Sequence, residues 1–552
     1  MSDKLIAENV VDPRAVTAAI ERFTRKHDKG VFGPNQKKYQ ELIPKKTPGK
    51  GEQYAFEVDL DKCTGCKACV TACYSENGLD EDETWRSVGL VRGGTGAGSA
   101  MQHITTACHH CAEPACMNGC PTLAYTKDKE TGIVKHLDDQ CFGCQYCILK
   151  CPYDVPKYNK KRGIVHKCDM CIGRLNDGQP PACVRACPNG AIRITVVDNG
   201  DVKENSEDYV RVPDAPASNY TYPTTKYKTN RIFPTNMESV DYYTVEPEHS
   251  HLPLVFMLVL TQLSVGAFSA DFFGKPFMNP HFSAVFLRFH IPIALGLGLL
   301  ALASSILHLG RPHLAFRAIL GFKTSWLSRE IILFGLFAKL AILYALCAMF
   351  QPVEQLLRTW TFGLDPARIL SLIVVISGIM GILCSAMVYR DTKRPFWNNA
   401  MTTVKFVLTA VILGMATNFL TATMISMLNS GIPTGYVNQS LGHLSCRIIW
   451  VTVLIKCLVE AGIFLIPNRS GLTFIKKTAI LMGGRLRQAT LWRFGCGVTG
   501  GVVLPLIFIR LCQDLGATSA FVLALLIWGL CLAGEILERY LFFRAVVPLK
   551  MP

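Results

Sequence analysis

Sixteen of the 23 cysteines fall into four groups of four, all between residues 63 and 187. The groups are Cys63, Cys66, Cys69 and Cys73; Cys108, Cys111, Cys116 and Cys120; Cys141, Cys144, Cys147 and Cys151; and Cys168, Cys171, Cys183 and Cys187. The third group has the spacing C-x2-C-x2-C-x3-C-P, which is typical of ligands for [4Fe–4S] clusters. Four such groups predict four [4Fe–4S] clusters, and a row of clusters conducts single electrons.

The spacing of the cysteines has a physical reason. Three cysteines with two residues between each wrap a tight loop around one cluster, and the fourth lies beyond that loop, where it reaches another cluster. Zinc is the alternative ligand, since Cys-x2-Cys pairs also build zinc ribbons, but zinc sites use two pairs rather than triplets with a trailing cysteine. Disulfides fit less well, because sixteen clustered thiols suit a reducing compartment at assembly.

The composition changes sharply near residue 250, from polar and cysteine-rich to long apolar runs. Eight of these runs are long enough to cross a bilayer, which takes about 20 residues. They lie near 252–271, 284–307, 330–350, 369–390, 404–428, 446–466, 494–512 and 517–543. The sequence therefore predicts a ferredoxin-like α+β iron–sulfur domain followed by an all-α bundle of eight transmembrane helices.

Four segments are expected along the chain. They are an N-terminal extension (1–53), the four-cluster iron–sulfur domain (54–200), a linker (201–250) and the membrane anchor (251–546). The linker is rich in Asn, Tyr, Thr and Pro and shows no strong period.

The net charge of +15 is explained by membrane topology. Basic residues concentrate in the loops after the second, fourth and sixth spans, whereas residues 429–445 contain no Lys or Arg. The positive-inside rule places the even-numbered loops, both termini and the iron–sulfur domain in the cytoplasm. We expect no signal peptide, no nucleic-acid partner and a location in the bacterial cytoplasmic membrane.

Two parts of the chain resemble subunits of the dimethyl sulfoxide reductase family. Residues 54–195, with Cys108-His-His-Cys111-Ala-Glu-Pro-Ala-Cys116 and Cys168-Asp-Met-Cys171-Ile-Gly-Arg, resemble the iron–sulfur subunit. Residues 250–545, with Ser305-Ile-Leu-His308-Leu-Gly-Arg311-Pro and Ser325-Trp-Leu-Ser328-Arg329-Glu330, resemble the membrane anchor. The chain therefore looks like a fusion of two subunits that are usually separate.

The resemblance implies a partner and a ligand arrangement. Enzymes of this family have a catalytic subunit that holds a molybdenum bis-pterin cofactor. The first and fourth cysteine groups share the ligands of two clusters, and the second and third groups share those of the other two. Related nitrate reductases have Trp at the position of Cys144 and hold a three-iron cluster, so the cysteine here supports four complete cubanes.

An electron path that ends at a membrane needs a lipid-soluble donor, and the candidate site for quinol contains His308 and Glu330. A quinol site needs a group that bonds the hydroxyl and accepts its proton, and ionisable residues in spans tend to mark function. The resemblance implies this role for both residues. As alternatives, Glu330 caps a helix N-terminus and His308 bonds a carbonyl. The weaker candidates are Arg329, Ser328 and Arg311.

Haem is the competing membrane cofactor. A membrane haem usually needs two histidines from different spans, and His290 with His443 is the conceivable pair; no haem is expected. Lys456 and Glu460 lie four residues apart and are interpreted as a structural helix pair. Few acids are found within the spans, and Lys339 is the main mid-span charge in the third.

Three functions are considered. The first is an electron-transfer and anchor subunit that oxidises menaquinol from the quinone pool and feeds a reductase of dimethyl sulfoxide or a related S- or N-oxide. The second reverses the flow, so that electrons from a formate dehydrogenase-like or hydrogenase-like partner reduce quinone. The third is an ion-translocating module, which would need several buried acids within the spans.

Overall fold

The structure is a computed structural model that describes residue 39 and residues 41–360, 365–429, 431–465 and 472–552. Most of the expected N-terminal extension therefore lies outside the described residues. The chain divides into two compact units. The iron–sulfur unit runs to Tyr242 and includes Leu549–Pro552, and the membrane unit is Tyr243–Pro548.

The described part of the iron–sulfur unit contains two three-stranded sheets and two hairpins. Its strands are β1 Glu52–Asp59, β2 Ser87–Gly93, β3 Ala100–Thr106, β4 Tyr125–Lys127, β5 Val134–His136, β6 Lys157–Asn159, β7 Ile164–His166, β8 Ile192–Asp198, β9 Lys226–Lys228 and β10 Glu238–Ser239. The sheets have the orders β8-β1-β9 and β10-β2-β3, and the hairpins are β4-β5 and β6-β7. Strand β1 pairs antiparallel with β8 and parallel with β9, and its six central residues are all buried.

Short helices accompany the cysteines of this unit. They are α1 Ala68–Asn77, α2 Ala115–Gly119, α3 Tyr146–Lys150, α4 Ile172–Asn176, α5 Ala182–Arg185 and α6 Asn199–Glu204. All but α6 have a cysteine inside them or directly before them. Helices this short are marginal in isolation, so their stability depends on the sheets and on what the cysteines bind.

The segment expected to be a linker contributes to both sheets. Strand β9 pairs with β1, and β10 pairs with β2. Residues 226–239 therefore belong to the iron–sulfur unit. Edge strands of two or three residues carry too little periodicity to be recognised in a sequence rich in turn-forming residues.

Among the described residues of the membrane unit, eight helices are long and apolar enough to cross a membrane. The spans are S1 Leu252–Phe277, S2 Pro280–Ile306, S3 Trp326–Met349, S4 Pro366–Arg390, S5 Ala400–Leu428, S6 Thr434–Leu465, S7 Arg487–Leu511 and S8 Ala517–Arg544. The prediction of eight transmembrane helices is confirmed. S7 and S8 are separate helices, with residues 512–516 between them.

Three further helical segments connect the spans. They are α7 Pro312–Ile319, which is a 3-10 helix, α8 Gln351–Trp360 and α9 Phe474–Gly483. Short π-helical turns interrupt two spans, at Asn438–Gly442 in S6 and at Thr499–Val503 in S7.

Glycines let S1 and S5 approach closely. A Cβ atom at Gly266 of S1 would lie 1.9 Å from the carbonyl oxygen of Ala410, and one at Gly414 of S5 would lie 2.3 Å from the backbone of Gly266. Small residues at helix crossings are the usual means of packing spans in lipid, because dispersion contacts replace the hydrophobic effect there. This crossing lies in a core of buried apolar residues that joins S1 and S5 to S6 and S8.

Candidate functional site

The four cysteine loops share one backbone feature. The residue two positions after the first cysteine is left-handed in every loop, with φ of 73° at Gly65, 41° at His110, 75° at Gly143 and 60° at Met170. A left-handed residue in a tight loop turns successive N–H groups inward, and such concavities bind anions and iron–sulfur clusters. Only glycine fits at position 65, because a Cβ atom there would also lie 2.3 Å from the ring of His103.

The structure brings the sixteen cysteines together in four sets. Each set combines the first three cysteines of one group with the last cysteine of another group. Set A is Cys63, Cys66, Cys69 and Cys187; set B is Cys73, Cys168, Cys171 and Cys183; set C is Cys108, Cys111, Cys116 and Cys151; and set D is Cys120, Cys141, Cys144 and Cys147. In each set, burial raises the pKa of one thiol, and the thiolates of the other three members raise it further.

This arrangement fits iron–sulfur clusters. Four thiolates that repel one another in a buried site are stabilised by metal cations, which deprotonate their thiol ligands. The members of set C line a cavity that is otherwise mostly apolar, closed by Pro152 and Tyr153. In the described ranges, no three His, Cys, Asp or Glu side chains are grouped tightly enough to hold one metal ion. The sets therefore suit a cluster of several irons better than a single zinc ion.

The sets form a continuous row. Sets A and B are neighbours, because the thiolate of Cys69 adds to the effect of burial in raising the pKa of Cys73. Sets B and C are neighbours, because the thiolate of Cys108 likewise raises the pKa of Cys168. Tyr125 lies between sets C and D. Burial is the largest cause that raises its pKa, and the thiolates of Cys147 from set D and Cys116 from set C raise it further. The order A, B, C, D follows, and cofactors bound there would form one path for electrons.

Two buried cations lie beside the row. Burial would lower the pKa of Arg86, but the thiolates of sets A and B outweigh burial and raise it. Its Nε and Nη2 atoms make no well-formed hydrogen bond, although the thiol of Cys183 lies near them. Lys167 is likewise buried beside set C. Burial would lower its pKa, but the thiolates of Cys108 and Cys116 outweigh burial and raise it.

Sequence reasoning missed both cations. Arg86 lies outside every cysteine motif, and nothing in its neighbourhood of the sequence marks it. Lys167 directly precedes Cys168, and that adjacency was the available signal.

The two histidines inside the second cysteine group have structural partners. His109 Nδ1 lies 2.8 Å from Thr225 Oγ1, and burial, aided by Arg86, lowers the pKa of His109 to about 3. The backbone N–H of Val134 donates to His110 Nδ1 at 3.1 Å. These rings therefore hold the loop to neighbouring segments of the unit.

In the membrane unit, Glu330 and His308 lie at the same end of the bundle, near the start of S3 and after the end of S2. Glu330 is 4% exposed, and the hydroxyl of Ser385 in S4 donates to its carboxylate. His308 Nδ1 is buried without a well-formed hydrogen bond, although the backbone of Ser305 is close enough to affect it. Burial lowers the pKa of His308 to about 4, so its imidazole is neutral at pH 7.

No hydrogen bond or ion pair joins His308 to Glu330 among the described residues. Glu330 has Ser385 as its hydrogen-bond partner, whereas the Nδ1 atom of His308 makes no well-formed hydrogen bond. His308 is influenced by His251 at the start of S1.

The weaker candidates have mainly structural contacts. Ser328 donates to the carbonyl of Ala318. Arg329 donates to the carbonyl of Phe322 at 3.1 Å and packs over the ring of Trp326 at 4.4 Å. These bonds fix α7 and the following loop against the start of S3. Arg311 lies half-buried directly before α7.

The interpretation of Lys456 and Glu460 as a helix pair is wrong. Lys456 instead pairs with Glu535 of S8, while Arg493 of S7 donates twice to Glu460, at 3.0 Å each. On S6 the two side chains face different neighbouring helices, and charged groups from other spans outcompete the local pairing.

These residues belong to a larger group that we call the charged cluster. It consists of Lys405, Lys456, Glu460, Arg493, Glu535, Glu538 and Arg539 from S5, S6, S7 and S8. All but Glu460 are buried. The expectation of few acids within the spans therefore missed Glu535 and Glu538, whereas Lys339 is exposed on the surface of S3.

The conceivable haem pair has other contacts. His290 Nε2 lies 3.0 Å from the carbonyl of Ala267, its Nδ1 lies 3.3 Å from Thr421 Oγ1, and its ring stacks on Phe286. Both ring nitrogens are thus used in packing S2 against S1 and S5, and an axial bond would have to break one of these contacts. His443 is half-buried at the start of the regular part of S6.

Comparison with known proteins gives matches along most of the chain. The description "DMSO reductase anchor subunit (DmsC)" matches residues 248–544, "4Fe-4S dicluster domain" matches residues 99–197 and "4Fe-4S binding domain" matches residues 56–76. The chain is 34% identical over 189 residues to the B subunit of the anaerobic dimethyl sulfoxide reductase of Haemophilus influenzae, covering 33% of this chain and 91% of that protein.

Two relatives come from other complexes. The chain is 34% identical over 201 residues to the hydrogenase-2 operon protein HybA of Escherichia coli O157:H7, covering 32% of this chain and 60% of that protein. It is 34% identical over 166 residues to the iron–sulfur subunit of the nitrate-inducible formate dehydrogenase of Escherichia coli, covering 26% of this chain and 56% of that protein. The iron–sulfur part is thus similar to subunits of several kinds of complex, whereas the anchor match is specific.

Proposed function

The chain belongs to the DMSO reductase anchor subunit (DmsC) family, and from that membership we propose that it oxidises menaquinol and supplies electrons to a catalytic subunit that reduces dimethyl sulfoxide or a related S- or N-oxide. It is an iron–sulfur electron-transfer subunit and a multi-pass membrane anchor in one chain. The observation that carries the proposal is the presence of four cysteine sets in a row on the same chain as this anchor.

The four sets would hold four [4Fe–4S] clusters. Each cluster, when bound, accepts and releases one electron at a time. The chain's own residues would enclose the clusters, since all of the sixteen cysteines except Cys66 are at least partly buried, and Arg86 and Lys167 place positive charge beside the negative thiolates. Buried cations of this kind raise reduction potentials, which is one of the levers available to a protein.

His308 and Glu330 would act on the quinol. Oxidation of one quinol releases two electrons and two protons. The neutral imidazole of His308 would accept the proton of one hydroxyl, and the carboxylate of Glu330 would accept the proton of the other. The two electrons would pass one at a time to the iron–sulfur unit, and both protons would then leave to water. Glu330 suits this task because it is buried, carries one hydrogen bond from Ser385 and has no cation paired to it among the described residues.

The partner would be a catalytic subunit with a molybdenum bis-pterin cofactor. Two electrons and two protons convert one sulfoxide to a sulfide and water, which balances the oxidation of one quinol. The relative from Haemophilus influenzae is itself named as part of a dimethyl sulfoxide reductase. We propose no haem, on the support that both nitrogens of His290 have protein partners.

The iron–sulfur unit would face the cytoplasm, in a chain of the bacterial cytoplasmic membrane. Eight crossings return the chain to the side from which it started, and basic residues concentrate in the even-numbered loops. Labelling with a membrane-impermeant thiol reagent tests this, because Cys66 is exposed in the iron–sulfur unit. Cluster-free protein in intact cells should resist labelling until the membrane is permeabilised; ready labelling from outside would reverse the assignment.

The second candidate is a subunit that reduces quinone with electrons from formate or hydrogen, favoured by the similarity to HybA and to the formate dehydrogenase subunit. The two functions are separated in membranes that carry the intact complex. We expect oxidation of a menaquinol analogue that depends on added S-oxide or N-oxide. Quinone reduction that depends on formate or hydrogen, without oxide-dependent quinol oxidation, would favour the second candidate.

A further inference from the structure

A cavity lies at the loop end of S5, S6 and S8, beside the charged cluster. Its walls come from these spans, from the residues before S5 and from α9. They include Phe396, Lys405, Val459, Glu460, Glu538 and Phe542. Neither His308 nor Glu330 lines it, so it is separate from the candidate quinol site.

The cavity has an apolar side that meets the lipid surface. Val459, Ile463 and Leu541 line it, and so does Met401, which is 48% exposed on the outer face of S5. In a membrane protein such an exposed apolar side chain lies against lipid. A lipid-soluble molecule can therefore reach the cavity from the bilayer.

The other side of the cavity carries hydrogen-bonding groups of both kinds. Lys405 Nζ lies 3.4 Å from Glu538 Oε1, and 5.2 Å and 5.4 Å from the ring centres of Phe396 and Phe542. The ammonium group can donate to a carbonyl. The ring of Phe396, which is partly exposed, provides a face for a planar ligand, whereas Phe542 is buried and stacked on Trp397. One aromatic face, one donor and nearby carboxylates are features that suit a ring with carbonyl or hydroxyl substituents.

Glu538 supplies the acceptor. It is 3% exposed, and its Oε2 accepts no hydrogen bond in the structure, although it lies 3.4 Å from Arg539 Nη2 and 3.8 Å from Lys456 Nζ. Buried carboxylate oxygens nearly always accept a hydrogen bond. A hydroxyl donor in the cavity would supply one. A phosphate group would instead face two carboxylates, those of Glu538 and Glu460, which disfavours the headgroup of an anionic phospholipid.

We infer that this cavity is a second binding site for a quinone-class molecule, with the ring against Phe396, Lys405 as donor to a carbonyl and Glu538 as acceptor from a hydroxyl. The inference goes beyond the proposed oxidation at His308 and Glu330 and does not depend on it. The site binds the ring; the inference includes no electron transfer.

The test is photolabelling with an azido-naphthoquinone in native membranes that contain the full-length chain, followed by mass spectrometry of the peptides. Val459→Phe should fill the cavity without a change in charge. The matched control is Val451→Phe, two turns earlier on S6, where the side chain is 40% exposed and lies outside the cavity lining. Label on residues 396–405 should fall by about tenfold in the first variant, since overpacking opposes binding, and remain unchanged in the control.

Glu538→Gln tests the chemistry of the site. It should weaken competition by the reduced, hydroxyl-bearing form of the unlabelled naphthoquinone more than competition by the oxidised form. Equal weakening would remove the acceptor role. Because Val459→Phe changes no charge, the inference remains testable if Glu538→Gln does not fold.

Three outcomes would overturn the inference. They are absence of label from residues 396–405 in the native protein, unchanged label there in Val459→Phe, and displacement of the label by cardiolipin but not by naphthoquinone. Absence of label from residues 305–330, with label at 396–405 retained, would instead count against the proposed site at His308 and Glu330 and leave the second site standing.

Discussion

The two units both bury charge, but they neutralise it in different ways. In the membrane unit, most members of the charged cluster are paired with one another across spans, as Lys456 is with Glu535 and Arg493 with Glu460. In the iron–sulfur unit, Arg86 is buried with two nitrogens that make no well-formed hydrogen bond, beside thiols that repel each other. Paired buried charge thus serves the architecture of the bundle, whereas a buried cation with unsatisfied nitrogens beside clustered thiols indicates a ligand that the protein must hold.

The largest effect is expected where the row of sets is interrupted. Cys144→Ser removes one ligand of set D, so one of the four clusters should be lost or converted to a three-iron form, and quinol-driven turnover should fall to background. Iron analysis with electron paramagnetic resonance checks this against about sixteen irons in the native protein.

Cys347→Ser is the matched control, because Cys347 is a buried cysteine of S3 that lies outside the four sets. It should leave iron content and turnover unchanged. Equal loss in both variants, or normal iron in Cys144→Ser, would contradict the assignment of set D.

Two further variants compare the loss of a buried ion pair with the loss of an exposed one. Glu535→Gln leaves Lys456 buried without its carboxylate, which should destabilise the membrane unit by about 3–5 kcal/mol. Glu113→Gln breaks the exposed pair with Lys203, where side chains are about half exposed, and should leave the midpoint of thermal unfolding nearly unchanged. Thermal denaturation in detergent measures both. Similar midpoints for the two variants would show that the charged cluster is not structural.

The smallest effect is expected at Arg86. Arg86→Met removes a buried positive charge beside sets A and B, so the potentials of the clusters there should fall by about 50 mV, given about 59 mV for a tenfold change in a one-electron equilibrium. Redox titration monitored by electron paramagnetic resonance detects this shift. Arg193→Met, at an exposed arginine that pairs with Glu57, should leave the potentials in place; an equal shift there would make the effect nonspecific.

Sequence alone predicted what depends on local patterns. The cysteine groups have short, fixed spacings, and the spans are continuous apolar runs, so the two-part architecture and the eight helices could be predicted. The pairing of Cys187 with set A depends on the sheets that bring residues 63 and 187 together. Before the structure, only the family resemblance predicted this pairing.

The charged cluster could not be predicted for a related reason. Glu460 and Lys456 have a helix spacing that suggests a local pair, yet their partners lie 33 and 79 residues away. The orientation of each helix within the bundle decides which charged side chains come together. The periodicity of residues along one span does not reveal that orientation. Strands β9 and β10 were missed because two or three residues carry no period.

The central claim is that quinol oxidised in the membrane unit reduces the iron–sulfur unit of the same chain. The most direct test is rapid mixing of the intact complex with a menaquinol analogue while iron–sulfur absorbance is followed. We predict fast bleaching in the native protein, bleaching slowed by about 10²–10⁴-fold in Glu330→Gln, and native rates in Glu354→Gln, whose carboxylate is paired with Arg358 in α8. Dithionite should bleach all three proteins equally. Native bleaching by quinol in Glu330→Gln would contradict the account.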